Sequence, residues 1–379
     1  MTQYTAGEGG NEPAEGVVYD LDSGCTLDDD EEGALYLATV NGVVEYGVFV
    51  DLSEHVSGLV HESNLDGEYG VGDELVVELV EIRENGDVGF EDIDADPDRV
   101  DRTFVAPGDD VVVPFSLGDG TCRHCRRGHG NVCADGRALG FEPDAPGAFA
   151  ERVAVPDADY NLVTRPSWLP ARDAAALGCR YMTAYHALFE RAGVDAGDWV
   201  AVHGCGGVGL SVTQLAAAAG ARVVAVDVDD EALDRARTLG ASETVRGDTA
   251  QRPVPERVRS LTDGGADVSL DALGRAETCR NSVRSVRSRG THVQVGLTTA
   301  AERGAVELPT DWMTRWEVSF LGARGMPPTS YDDLFAFLES TDVDPGSLVT
   351  RELALEDVSA RLAAMDEYEV RGVEVVTTM

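Results

Sequence analysis

The chain contains no lysine, so every one of its 30 cationic side chains is an arginine. Against them stand 69 aspartates and glutamates, a formal net charge of -39. Such a balance repels polyanions and the chain itself at low ionic strength, whereas at about 1 M salt the Debye length shrinks to roughly 3 Å. The composition therefore suits a salt-rich, halophilic interior. Because the acids are spread along the whole chain, a solvated acidic surface is expected rather than a docking face for a cationic partner. Also missing is any run of about 18 apolar residues that could span a bilayer, and the first residues lack the basic start and apolar stretch of a signal peptide. No membrane association is expected, and the expected address is cytoplasmic. The cysteines number 7, an odd count in a chain without an export signal, which places metal or catalytic use above disulfides.

With 379 residues, there is length for two or three domains. Residues 1–33 are rich in Gly, Glu and Asp, end in the run Asp28 to Glu32, and read as an acidic disordered leader. Short β-rich runs follow from Leu35 to Val44, Gly47 to Leu52, Gly58 to Val60, Glu74 to Arg83 and Val88 to Phe90, with Asn85-Gly86 as a hairpin turn. Strands so short and so closely spaced over 34–92 predict a small closed barrel of the OB type. The charged, Pro97-containing stretch 93–104 reads as a linker. A β-rich segment with a predicted strand at Val111 to Phe115 and a Gly-rich cysteine loop then gives way, near Asp198, to alternating β and α.

Trp199 to His203 reads as a strand that runs into Gly204-Cys205-Gly206-Gly207-Val208-Gly209, and Leu210 to Ala219 as an Ala-rich helix. Gly204 permits a tight turn, Gly206 lets backbone N–H groups approach a pyrophosphate, and Gly209 lets the helix pack closely on its strand. A second strand, Arg222 to Val226, ends at Asp227, where a carboxylate accepts from ribose hydroxyls and repels a 2'-phosphate. The cofactor predicted from these residues is NAD rather than NADP. Further βα units run through Asp230 to Leu239, Ala266 to Asp271 and His292 to Gly296, with Gly240, Gly264-Gly265 and Gly290 as turn or helix-ending residues.

Cys122, Cys125 and Cys133 are spaced Cys-x2-Cys-x7-Cys, with Asp119 three residues ahead. Three thiolates and a carboxylate can complete a tetrahedron around zinc; the alternative is a reduced cysteine loop. His124 and His129 read as solvated loop residues. From these residues onward the chain resembles the zinc-dependent medium-chain (alcohol) dehydrogenases, whose structural zinc lobe carries four cysteines at this spacing. Asp119 stands where the first would be. The resemblance extends from about Val105 to the C-terminus through Gly147-Ala148-Phe149-Ala150-Glu151, the run Gly178 to His186 and the closing stretch Gly372 to Val376. It implies that Cys179 is a ligand of the catalytic zinc, that Thr183 lies by the nicotinamide, and that backbone at Val295, Gly296 and Leu297 receives the carboxamide.

Part of the family pattern is absent. Its early cysteine and its Gly-His-Glu histidine, the other ligands of the catalytic zinc, have no counterpart, and the barrel occupies their place in the chain. Cys25, His55, His61 and Glu62 are poor substitutes, since they would need the barrel docked over the cleft. The barrel itself resembles an S1-type RNA-binding domain in Tyr46-Gly47-Val48-Phe49-Val50-Asp51 and Ser57-Gly58-Leu59-Val60-His61-Glu62-Ser63. That resemblance implies a stacking surface of Tyr46, Phe49 and His61 for single-stranded RNA or DNA. Arg83 is the only arginine between Ala34 and Glu91, so phosphate attraction there is poor.

The expected fold class is α/β plus all-β. It comprises the OB barrel, a truncated GroES-like domain from 105–190 and 321–379, and a Rossmann doubly wound parallel sheet from 191–320. The expected function is a zinc-binding, NAD-dependent oxidoreductase acting on a small alcohol or carbonyl substrate, weakened by the missing ligands. The alternative is a single-stranded nucleic-acid-binding protein with a non-catalytic dehydrogenase remnant; a third reading is metal-free reduction of an activated double bond. A homo-oligomer is what the family implies.

Overall fold

A computed structural model describes residues 35–53, 56–65, 67, 69–83, 88–92, 109–142, 145–249, 252–341, 343–366 and 372–378, with the backbone of 2–4, 17–19 and 100–101. The Asn85-Gly86 turn, His55 and Cys25 lie outside the described residues.

The amino-terminal barrel is built from β1 (Leu35–Val44), β2 (Gly47–Asp51), β3 (Ser57–His61), β4 (Glu74–Ile82) and β5 (Val88–Asp92). It closes in the order β1-β2-β3-β5-β4-β1, every pairing antiparallel except β3 with β5. Alternation drives closure: Tyr36, Val40, Val50, Val60, Val77, Leu79 and Phe90 point inward and are buried, while Phe49 and His61 point out. Short strands also lie outside the barrel. The leader carries short strands at Thr2–Tyr4 and Val17–Tyr19, and the stretch read as a linker carries one at Val100–Asp101. They extend the same sheet, Val17–Tyr19 pairing alongside β1. Tyr and Val at these positions favour strand, and the open flank of β1 supplies unpaired backbone groups.

The middle segment is sparse in regular structure. Val111–Val112 pairs with Val163–Thr164, and Ser116–Leu117 with Arg137–Ala138. The strand expected through Phe115 stops early because Pro114 has no N–H to give a ladder. Val349–Ala354 and the final strand, Val373–Thr378, pair in parallel.

From Trp199 the chain folds into a six-stranded sheet made of β6 (Trp199–His203), β7 (Arg222–Asp227), β8 (Glu243–Arg246), β9 (Ala266–Asp271), β10 (Val286–Gln294) and β11 (Ser319–Gly322). The order is β8-β7-β6-β9-β10-β11 and every pair is parallel. Strands so placed are covered on both faces, which explains the near-continuous apolar runs Val200 to Val202 and Val223 to Val226, all buried. Helix α1 (Gly207–Ala218) begins three residues before the predicted start, so its first turn belongs to the glycine turn itself. Gly290, expected in a turn, lies inside β10; the left-handed backbone that a turn requires is at Arg289, φ 59°. The doubly wound order puts a crevice where connections leave β6 in opposite directions, at the carboxyl ends of β6 and β9.

Candidate cofactor and metal sites

The crevice is a cavity of about 1720 Å³ lined by Gly204, Gly206, Gly207, Asp227, Ala272 and Leu273 among others. Gly204 has φ +96°, in the left-handed region. A Cβ on Gly209 would lie 1.8 Å from the Gly204 carbonyl oxygen, so helix α1 can sit this close to β6 only with glycine there. A Cβ on Gly206 would meet nothing within 4 Å. Gly206 caps α1 without any side chain bonding the first-turn amides, which leaves those N–H groups and the positive end of the helix dipole for a ligand. Val208 follows in the same first turn.

Asp227 closes one side of the turn. One carboxylate oxygen accepts from the Cys205 N–H at 2.6 Å, and the other from Val228 at 2.7 Å and Asp229 at 2.9 Å. The side chain is therefore fixed at the cavity wall as an acceptor. Behind the turn His203 is buried, its Nε2 has no hydrogen-bond partner among the described residues, and burial together with nearby His292 pulls it down to about 3. It is a neutral packing group rather than an acid or base.

On the facing side, Cys179 lies in a kinked helix where Gly178 leaves helical geometry at ψ -166°. Cys179 is exposed, yet desolvation by the protein around it pushes the thiol up, against the pull of Arg180 and Arg324. Thr183 is buried and donates its hydroxyl to the Cys179 carbonyl. The N–H groups of Val295 and Gly296 both donate to the Asp271 carbonyl, at 3.1 and 2.8 Å, whereas Leu297 is strongly exposed. Asp271 holds this corner through the amides of Leu273 and Gly274 and the side chain of Gln294. Asp271, His203 and Arg180 are not foreseen from the motifs, although His203 and Asp271 each end a strand at the crevice.

The cysteine loop is a second site. The ligand atoms of Asp119, Cys122, Cys125 and Cys133 all lie within 4.8 Å of one another, and Cys122 Sγ is 3.6 Å from Cys125 Sγ and 3.7 Å from Cys133 Sγ. Thiolates bound at about 2.3 Å to one tetrahedral zinc stand about 3.8 Å apart, so the donor set fits that ion. Burial works against ionisation of Asp119, yet donors from Cys122 and Thr121 backbone and the Cys125 and Cys133 thiols hold its carboxyl well below the usual range. Burial, reinforced by Asp119, pushes the Cys125 thiol up to about 12. A divalent cation among the four would reverse that, since it favours every thiolate it touches.

The lobe is anchored from outside. The Asn161 side chain accepts from Gly118 N–H at 2.9 Å and donates to the carbonyls of Gly118, Pro156 and Asp157. Asn131 donates to the Arg324 carbonyl at 2.8 Å, and His186, paired with Glu190 at 2.7 Å, stands next to it. Among the described residues this is the one group of three or more metal-ligating side chains, and Cys179 is not in it.

On the barrel, Tyr46 occupies the β1–β2 turn, and Phe49 and His61 share the outer face of the β2–β3 pair, where Gly47 opposes His61 and Phe49 opposes Leu59. All three are exposed. Arg83 is held by the Glu81 carboxylate, its Nε at 2.9 Å.

A parallel sheet in this order with a glycine turn at its switch point, joined to a cysteine metal lobe, defines a nucleotide-binding dehydrogenase fold with a structural metal site. Family models agree: "Zinc-binding dehydrogenase" matches residues 207–340, "Alcohol dehydrogenase GroES-like domain" residues 92–167, and "S1 RNA binding domain" residues 29–90. An "NAD-dependent alcohol dehydrogenase" of Sulfurisphaera tokodaii is 32% identical over 272 residues, 71% of this chain and 75% of that protein. One of the same name from Saccharolobus solfataricus is 30% identical over 271 residues, with the same shares. Among solved structures, the alcohol dehydrogenase TADH from Thermus sp. ATN1 superposes with a TM-score of 0.66 at 27% identity, covering 90% of this chain and 92% of that one. The chain belongs to the zinc-binding alcohol dehydrogenase family. Residues 105–379 are less than three quarters of the chain, so the TADH superposition extends into the segment that carries the barrel.

Proposed function

We propose that the protein is an NAD-linked, zinc-binding oxidoreductase that moves hydride between an alcohol or carbonyl substrate and the nicotinamide. The observation that carries this reading is the pairing of the Gly204–Gly209 turn with a fixed Asp227 carboxylate at the mouth of the crevice. Amides of the first turn of α1 take the pyrophosphate, and Asp227 takes the ribose hydroxyls through its remaining lone pairs and disfavours a 2'-phosphate. Because the Val295 and Gly296 amides are already bonded, the carboxamide is left the Leu297 amide and the Val295 carbonyl. Thr183, oriented by its bond to Cys179, borders the nicotinamide. Nicotinamide, when bound, supplies the hydride chemistry; the residues supply position and exclusion of water.

Asp119, Cys122, Cys125 and Cys133 hold a structural zinc that contributes folding energy to the lobe. Cys179 by itself does not make a metal site: it belongs to no group of three or more ligating side chains among the described residues, so no step is derived through a metal there. Turnover is accordingly weak, and Cys179 remains the catalytic-site ligand candidate. The extreme acidity supports a halophilic, cytoplasmic setting, and the open edge of β11, with Phe320 half exposed, supports a homo-oligomer.

The test is NADH and NADPH binding, then NAD reduction with an alcohol and polyol panel, in molar salt. NADH bound at least about 10-fold more tightly than NADPH is expected, since a bare charge clash is worth more than about 1.4 kcal/mol in a partly desolvated site. Equal binding overturns the role of Asp227. A second reading has a specific observation behind it: Tyr46, Phe49 and His61 together on the barrel's exposed face support single-stranded nucleic-acid binding as an added or surviving activity.

A further inference from the structure

Arg180 is the residue after Cys179, and its side chain reaches across to the glycine turn. A Cβ built on Gly207 would lie 2.4 Å from Arg180 Cδ and 3.0 Å from both Nε and Nη1, so the guanidinium rests directly on the first turn of α1. Glycine at 207 is what makes room for it. The side chain is partly buried and lines the cavity with Gly204, Gly206 and Gly207. Its Nη1 donates to the Gly372 carbonyl at 3.1 Å and its Nη2 lies 3.7 Å from Met365 Sδ. Among the described residues no carboxylate stands within ion-pair distance of it; Glu374, near enough to feel its charge, is itself paired with Arg361.

Two other arginines line the same cavity. Arg235 is engaged by the carbonyls of Ser347 and Leu348, and Arg275 precedes the helix Ala276–Ser285 at a different strand–helix junction. The wall around the turn is otherwise acidic, with Asp227, Asp229 and Glu231 on it. A dianionic pyrophosphate entering there meets like charge, and helix amides alone offset little of it.

We infer that Arg180 is the cationic clamp of the cofactor's pyrophosphate, acting with the amides of Gly207 and Val208. A guanidinium fork anchored at one nitrogen by a carbonyl keeps other N–H donors for phosphate oxygens, the bidentate geometry in which arginine binds such groups best. The inference rests on the proposed NAD site and adds to it the residue that balances its charge. It also gives the kinked Gly178–Cys179 segment a second duty: holding a cation over the helix start from the opposite domain segment.

The rival role is a strut, in which Arg180 only ties the kink to the last strand through Gly372. Calorimetric binding of NADH, ADP-ribose and adenosine to the full chain in molar salt separates the two. For Arg180→Met, which keeps the apolar stem, NADH and ADP-ribose are expected to bind about 10- to 100-fold more weakly while adenosine binding stays within about 2-fold. Arg180→Lys should recover part of the loss for both phosphate ligands. Weakening of all three ligands together, or unchanged NADH affinity in Arg180→Met, overturns the clamp. If Arg180→Met melts far below the parent and Arg180→Lys does not, the lysine variant alone is compared; parental affinity for ADP-ribose in it, with its salt dependence unchanged, overturns the guanidinium fork. Failure of the parent chain to bind NADH removes the cofactor reading and the clamp with it, whereas a parent that binds and a variant that binds equally removes only the clamp.

Discussion

The cysteine lobe and the kink at Cys179 use the same side chain in opposite circumstances. In the lobe, three thiols and a carboxylate converge within 4.8 Å, on a loop pinned by Asn161 and Asn131. At the kink, the thiol belongs to no group of three or more ligating side chains among the described residues. The difference teaches that a metal site is a property of convergence rather than of a residue type. Both regions resemble their family counterparts in sequence, yet only one brings its donors together.

The largest expected effect breaks the lobe. Cys125→Ser removes the buried thiol at its centre and should lower tightly bound zinc from one per chain to near none after dialysis, read by elemental mass spectrometry. Loss of a structural zinc also removes several kcal/mol of folding free energy. The thermal midpoint should fall and trypsin should cut at the exposed arginines Arg126 and Arg127. Zinc retained at one per chain would show that the remaining three donors suffice, and the comparison would lose its sharper half.

A smaller effect sharpens it. Asp119→Ala leaves three thiolates and an open position, and is expected to weaken zinc binding by roughly 10- to 100-fold in competition with a chelator. Asp119→Cys restores a four-sulfur set and should bind zinc at least as tightly as the parent, since sulfur is the softer ligand. If the alanine variant holds zinc as well as the parent, the carboxylate is a hydrogen-bond acceptor for Thr121 and Cys122 and not a ligand.

How much of this was legible beforehand follows from the same distinction. The glycine turn, Asp227 and the sheet that holds them were readable because local chemistry sets them: tight φ at Gly204, contact at Gly209, an apolar run that ends at a carboxylate. The lobe was readable from spacing, because four ligands within 15 residues can only close on one point if they close at all. The barrel was readable from alternation. Not readable were pairings between distant segments. Val17–Tyr19 joins β1 only because the barrel leaves a flank open, and Val100–Asp101 finds the leader for the same reason. The place of Arg180 is not legible either, since nothing in the sequence says that residue 180 lies on residue 207. Pro114, by contrast, was in plain view and should have shortened the predicted strand.

The barrel extends the contrast from metals to nucleic acid. Its candidate stacking residues Tyr46, Phe49 and His61 are all exposed, yet its single arginine is bound to Glu81, so any affinity for a single strand must come from base stacking. Tyr46→Ala combined with Phe49→Ala is expected to weaken retention of a fluorescent oligonucleotide by about 5- to 150-fold, the range that corresponds to roughly 1 to 3 kcal/mol for a stacked base. The salt slope should be shallow, with few phosphates neutralised. A steep slope, or unchanged retention in the double variant, would place the binding surface elsewhere.

The smallest change belongs to the kink, and it decides whether the opening comparison stands. Cys179→Ser is nearly isosteric at an exposed position, so stability should shift by no more than about 0.5 kcal/mol. Zinc should stay at one per chain, because a lone thiol does not retain the ion through dialysis. Turnover should fall if the thiol holds the role that the family resemblance assigns it, whereas the Thr183 bond to the backbone carbonyl of residue 179 is left intact. A parent with two zincs and a variant with one would mean that Cys179 has found partners, and the site would then be complete where the family pattern leaves it broken. An unchanged rate with unchanged zinc would mean the reverse: hydride chemistry that proceeds without this thiol, as metal-free reduction of an activated double bond would.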